Sequence, residues 1–130
     1  MNLLHCIFVA MNRFLKSLSY AIQGISHLLL FERNTTIQSA IALVVIGLGF
    51  WLKISGNEWI ALLFGIGLVL AAEAFNTAME HLCNLVEPNP NPKIKIIKDL
   101  SAGAVLLISI AVSIIGIIIF LPKILTVLYH

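Results

Sequence analysis

Residues 59–86 read WIALLFGIGLVLAAEAFNTAMEHLCNLV. From Trp59 to Ala72 no charged side chain interrupts the run. Beyond it the helical apolar spacing continues to Val86, with Glu73, Asn76, Thr77 and Glu80 set inside it. A membrane span needs about 20 predominantly apolar residues. This stretch qualifies if its C-terminal turns protrude from the hydrocarbon or line a site buried in protein. The composition decides in favour of a membrane. Of 130 residues, 60% are hydrophobic and 11% charged, and the mean hydropathy is +1.04. A soluble domain carries about 25% charged residues and needs them to cover its surface. An ordinary soluble protein, a disordered chain and a disulfide-stapled secreted domain are all excluded.

Two further runs flank the first. Residues 37–52, IQSAIALVVIGLGFWL, are polar only at Gln38 and Ser39. Residues 100–121, LSAGAVLLISIAVSIIGIIIFL, are long enough to cross outright. The expected fold is therefore all-α and integral to the membrane, with spans at about 35–53, 59–86 and 99–121. The short polar link Lys53–Glu58 predicts an antiparallel hairpin of the first two spans. Glu87-Pro88-Asn89-Pro90-Asn91-Pro92 breaks the helix, since each proline lacks an N–H donor and restricts its predecessor. Lys93 to Asp99 then start the third span, and Pro122 is expected to end or kink it. Glu58 and Glu87 are read as solvated turn residues.

Upstream, residues 12–31 place Phe14, Leu18, Ala21, Ile22, Ile25, Leu28 and Leu29 on one helical face. Arg13, Lys16, Tyr20, Gln23 and His27 lie on the other. That pattern predicts an amphipathic helix lying on the membrane surface. Residues 1–11 form an N-terminal extension of uncertain status, resembling neither a signal peptide nor a span, and Met11 is an alternative start. Residues 12–130 are one domain. An N-terminus on the cytoplasmic side puts Arg13, Lys16, Arg33, Lys93, Lys95 and Lys98 inside, and Lys53 and Lys123 outside, as the positive-inside rule prefers. The net charge of +2 is too small to argue for nucleic acid. Cys6 and Cys83 form no C-x-x-C pair and are expected to be free, buried thiols.

Glu73 and Glu80 are two turns apart and about 20° apart around the helix. Asn76, Thr77 and Asn84 fall on the same side, which makes one polar stripe. Gly67, Ala71, Ala74 and Ala78 make a small-residue stripe about 120° away, suited to close helix packing. A carboxylate at bilayer depth costs about 2.5–3.5 kcal/mol. Two on one helix imply either a salt bridge to a neighbouring helix near the interface or a metal or proton site. Paired carboxylates with an amide suit a hard cation such as Mg²⁺. Lys93, Lys95 and Lys98 follow on the same side of the membrane. Acids that hold a metal beside bases that neutralise an anion suggest phosphate chemistry, although basic residues beside a span also set topology or touch anionic lipid. No Gly-Lys dipeptide, H-R-D or D-F-G occurs, so P-loop and protein-kinase machinery is excluded.

At these residues the chain resembles the small prokaryotic membrane lipid kinases, the diacylglycerol kinase and undecaprenol kinase family. The signature E-x-x-N-(S/T)-A-x-E stands as Glu73-Ala-Phe-Asn76-Thr77-Ala78-Met-Glu80. After a proline-containing loop, K-x-x-K-D-x-(A/S)-A-(G/A)-A-V stands as Lys95-Ile-Ile-Lys98-Asp99-Leu-Ser-Ala-Gly-Ala-Val105. The N-terminal pattern stands as Arg13, Lys16, Tyr20, Gly24 and Glu32-Arg-Asn34. The resemblance covers about residues 13–121.

The resemblance implies phosphorylation of a membrane lipid alcohol, diacylglycerol or undecaprenol, by ATP with Mg²⁺ as cofactor, in phospholipid synthesis or lipid-carrier recycling. It implies a homotrimer in the inner membrane, with sites between subunits at the cytoplasmic face. By motif position Glu73 would be the catalytic base facing the lipid hydroxyl. Glu32 and Glu80 would hold the metal. Asn76 would support both lipid and nucleotide. Lys98 and Asp99, with Arg13, Lys16, Tyr20 and Glu80, would contact or organise the nucleotide. Two departures stand out. Asn84 occupies a position that is usually aspartate, and Pro90-Asn91 replaces the usual Tyr-His. Losing one carboxylate lowers the site's charge, with metal binding or nucleotide choice the properties exposed to it. Two other classes remain to be distinguished: an ion or proton carrier using Glu73 and Glu80, and a non-catalytic membrane scaffold.

Overall fold

A computed structural model of the chain describes residues 3–129, without the side chains of Leu3, Leu4 and Cys6. Met1, Asn2 and His130 therefore lie outside the described residues, as does the side chain of Cys6. The described residues form four helices, α1 (Leu3–Phe31), α2 (Arg33–Trp51), α3 (Gly56–Val86) and α4 (Pro92–Leu128). The last three are each long and apolar enough to cross a membrane. The chain divides into two compact units, residues 1–32 and residues 33–130. The first unit is essentially α1, whose helix runs nine residues upstream of the start expected at residue 12. Its last turn closes with Glu32 N–H donating to Leu28 O at 3.2 Å.

In the second unit α3 packs along α4 over most of its length, and α2 lies against α3. Leu52 to Ser55 link α2 to α3. The N–H of Lys53 donates to Phe50 O at 3.3 Å and that of Ile54 to Gly49 O at 3.1 Å. This is a Schellman closure of the helix end. It puts Lys53 in the left-handed region, at φ 50°. Ser55 then caps α3 in a reciprocal box. Its hydroxyl accepts from Glu58 N–H, and the Glu58 carboxylate accepts from Ser55 N–H. Glu58 also pairs with Lys123 of α4 at 3.2 Å, both side chains being partly exposed. Glu58, expected as a solvated turn residue, stays partly exposed beside the turn and is also a cap and a helix-to-helix tie.

Around this turn sits the apolar core. Ile54, Leu62, Ile119 and Phe120 are buried together, with Val45, Leu48, Trp59 and Ile124 packed on them. Gly49 lets Trp59 in, because a Cβ there would lie 2.9 Å from the indole. Close approach of α3 to α4 occurs at Gly65, where a Cβ would lie 2.9 Å from Val112. Gly67, in the expected small-residue stripe, has nothing within 4 Å of such a Cβ. Within one chain the intimate packing therefore uses Gly65, one helical face away from that stripe. Away from the core the bundle shows large apolar side chains outward, such as Leu43, Phe64 and Leu107, as a helix bundle surrounded by lipid does.

α4 begins at the proline-rich loop. Pro92 takes the first helical position and Asn91 Oδ1 accepts from Lys93 N–H at 2.9 Å. Proline suits that position because its missing N–H has no intrahelical partner there. At the other end Pro122, expected to end or kink the span, does not end it. The helix runs through it to Leu128. The Thr126 hydroxyl donates to Pro122 O at 2.9 Å.

Candidate active site

The core plugs the end of the bundle that holds the α2–α3 turn. The polar residues collect at the opposite end. There the first turns of α2, the second half of α3 and the first turns of α4 meet. Alanine at 71, 72, 74 and 78 keeps α3 helical through its polar stretch. Glu73 and Asn76 are both buried, 3% and 5% exposed. Helical spacing brings Asn76 to Glu80, and Asn76 Nδ2 donates to Glu80 Oε1 at 3.1 Å. Glu73 Oε2 accepts from Gln38 Nε2 of α2 at 3.4 Å. The partner that the structure gives each carboxylate is thus a side-chain amide.

Several buried polar atoms here lack a hydrogen-bond partner: Asn76 Oδ1, Gln38 Oε1, Ser39 Oγ and Thr35 Oγ1. Thr35 has no exposed surface at all. An unmet buried polar group costs about 1–3 kcal/mol. Four of them lie at one end of the bundle, where water, a ligand or a neighbouring subunit can meet them. Thr35, Gln38 and Ser39 were not read as site residues from the sequence. Their one signal was being polar at the start of an otherwise apolar run.

The stripe ends at Asn84. Its Oδ1 accepts from Lys98 Nζ of α4 at 2.6 Å. Lys95 and Asp99, one turn apart on α4, pair at 3.1 Å and are well exposed. These four line a cavity of about 350 Å³ with the Glu87–Asn91 loop. The loop is folded on itself, Glu87 accepting from Asn89 N–H at 3.1 Å. Of the two departures from the family pattern, Asn84 holds Lys98 and Asn91 caps α4. Cys83 is free and buried, as expected of it.

In the first unit Arg13, Lys16 and Tyr20 are exposed on α1, and Glu32 at its end is half-buried. Among the described residues no three of His, Cys, Asp and Glu converge as a metal cluster. The donors at hand do fit a hard cation. Glu80 and the unpartnered Asn76 Oδ1 supply oxygen only, and Mg²⁺ commonly takes one or two carboxylates and completes its shell with water and substrate phosphates.

A second cavity, of about 360 Å³, runs between α2, α3 and α4. Ile41, Val45, Ile66, Val69 and Val112 give it apolar walls. Its polar lining is Gln38, Ser109 and Ser113, and the Ser113 hydroxyl is engaged with Ser109 O at 2.7 Å. Gln38 therefore stands both at this chamber and at Glu73.

Residues 19–120 match the family model described as prokaryotic diacylglycerol kinase. The chain belongs to that family. It is 39% identical over 113 residues to the undecaprenol kinase of Bacillus subtilis, covering 87% of this chain and 92% of the relative. It is 34% identical over 115 residues to the diacylglycerol kinase of Synechocystis sp., covering 88% of this chain and 66% of that relative. As a member of the family this chain is a multi-pass membrane enzyme, a lipid kinase that uses ATP. The carrier and scaffold readings fall with that. Tyr20 lies inside the matched region, and Arg13 and Lys16 lie before it.

Proposed function

We propose that this lipid kinase moves the γ-phosphoryl group of ATP to the hydroxyl of undecaprenol in preference to diacylglycerol, with Glu73 as the base. The observation that carries the reading is a carboxylate 3% exposed on a membrane helix, held by an uncharged amide that also lines an apolar chamber. A basic partner would neutralise the carboxylate, whereas an amide leaves it able to accept a proton. The chamber offers few hydrogen-bond donors. A polyprenol brings one hydroxyl to it, while a diacylglycerol also brings two ester carbonyls that need donors. The likeness to the Bacillus subtilis undecaprenol kinase over nearly its whole length supports the same acceptor.

Asn76 holds Glu80, and Glu80 with Asn76 Oδ1 would hold Mg²⁺; Glu32 is assigned to the metal by its motif position alone. When bound, that ion supplies neutralisation of phosphate charge. Lys98, held out by Asn84, offers its ammonium to the phosphates. Asp99 organises this edge of the site through its pair with Lys95. Arg13, Lys16 and Tyr20 of α1 are assigned to the nucleotide as well. The lysine-rich start of α4 and the positive-inside preference favour a cytoplasmic site and a cytoplasmic N-terminus. A homotrimer with sites shared between subunits is part of this reading. The outward stripe Gly67, Ala71, Ala78 is open to a neighbouring subunit in it.

The test uses purified enzyme in mixed micelles with labelled ATP and Mg²⁺, given undecaprenol and diacylglycerol in separate and competing assays. A higher kcat/KM for undecaprenol supports the acceptor assignment. A preference for diacylglycerol overturns it.

A further inference from the structure

Glu73 is a useful base only if one of its oxygens is aimed at the acceptor hydroxyl. A carboxylate on a helix rotates about its side-chain bonds unless something holds it. The structure supplies that hold from another helix. Gln38 Nε2 donates to Glu73 Oε2 at 3.4 Å, which engages one oxygen and leaves Oε1 for the proton. The same amide has its own Oε1 buried and without a partner. Gln38 also belongs to the wall of the apolar chamber. One side chain thus touches the base and lines the space beside it.

We propose that Gln38 is the positioning residue of the transfer step, fixing the Glu73 carboxylate toward the hydroxyl of the incoming lipid. This rests on the reading of Glu73 as the base. In the step, the acceptor O–H bond breaks and its proton passes to Glu73 Oε1. The oxygen's electron pair forms the new bond to the γ-phosphorus. The bond from that phosphorus to the bridging oxygen breaks, and ADP leaves with the electron pair. Gln38 keeps its hydrogen bond to Oε2 throughout and exchanges no proton. Its chemistry suits the role. A lysine or arginine would hold the carboxylate but neutralise it, and a glutamate would repel it. The amide orients without doing either.

The nucleotide-facing residues lie elsewhere, on Glu80, Lys98 and Asp99, so losing Gln38 should slow the chemistry and leave ATP binding alone. The experiment compares the wild-type enzyme with Gln38→Met, Gln38→His and Glu73→Gln in mixed micelles. It records kcat, KM for ATP and the thermal midpoint in detergent. Gln38→Met removes the donor at similar length, and Gln38→His returns a side-chain N–H. Misplacing a reacting group by about 1 Å can cost on the order of a hundredfold. The expected result for Gln38→Met is a kcat lower by roughly tenfold to a hundredfold, with KM for ATP and the midpoint unchanged, and partial recovery of kcat in Gln38→His. Wild-type kcat in Gln38→Met while Glu73→Gln is inactive overturns the role of Gln38 and leaves the base assignment standing. A loss of kcat with an equal loss of stability, not recovered in Gln38→His, overturns it in favour of a packing role. Full activity in Glu73→Gln removes the base itself, and the proposal with it.

Discussion

Lys98 Nζ donates to Asn84 Oδ1 at 2.6 Å, tying the first turns of α4 to the last turns of α3 across the proline-rich loop. The partner is neutral, so the ammonium keeps its full charge while its direction is set. Lys95, one turn earlier, is instead paired with the Asp99 carboxylate. Of these two lysines, Lys98 is the one held by a neutral partner, as the proposed phosphate contact requires.

Removing that charge should therefore act on ATP. A hydrogen bond to a charged group is worth about 1.5–3 kcal/mol. Lys98→Gln is expected to lower kcat/KM for ATP by roughly ten- to a hundredfold at constant lipid, which steady-state kinetics with varied ATP will measure. Asn84→Asp restores the carboxylate usual in the family and turns the contact into an exposed ion pair, worth about 0–1 kcal/mol. Its kcat/KM for ATP should stay within about fivefold of the wild type. An unchanged Lys98→Gln would remove the lysine from the site.

The two glycines of α3 make opposite predictions. Gly65 faces Val112 so closely that a Cβ would sit 2.9 Å from its Cγ1, and Gly67 faces open space within the chain. Overpacking typically costs about 1–3 kcal/mol. Gly65→Val should lower the thermal midpoint in detergent. Gly67→Ala should leave it unchanged. Gly67→Leu should reduce the trimer fraction in light scattering if the small-residue stripe packs subunits together. Equal midpoints for Gly65→Val and the wild type would contradict the α3–α4 contact.

Lys53 occupies the left-handed position of the Schellman closure after α2, at φ 50°. Glycine is the residue that adopts this conformation without steric cost. Lys53→Gly should stabilise the protein by up to about 1 kcal/mol and leave kcat unaltered, because this turn lies at the end of the bundle away from Glu73. A lower unfolding midpoint would contradict the geometry of the turn.

Much of this site was legible because helical spacing is short-range information. Glu73, Asn76 and Glu80 are three, four and seven apart, so their common face follows from the helix period alone. The hairpin of the first two spans, the breaker after Val86 and the basic start of α4 follow from local turn chemistry in the same way. Gln38 could not be found so. Its partner is 35 residues away, and a polar residue at the start of an apolar span usually marks only the membrane interface. The tie from Glu58 to Lys123 was hidden for a related reason. The turn position of Glu58 was visible, but the ion pair with Lys123 joins the start of one helix to the end of another. Pro122 was expected to end or kink α4, and the helix runs through it to Leu128. Gly65 and Gly67 stood two residues apart in one apolar run, and choosing between them required the position of Val112.

The most direct measurement is the rate of lipid phosphorylation by Glu73→Gln, with labelled ATP, Mg²⁺ and undecaprenol or diacylglycerol in mixed micelles. General base catalysis is worth about a hundred- to ten-thousandfold. If Glu73 takes the hydroxyl proton, kcat falls by at least about a hundredfold on either lipid while KM for ATP and the thermal midpoint hold. Labelled lipid produced at the wild-type rate would show that the buried carboxylate of α3 is not the base.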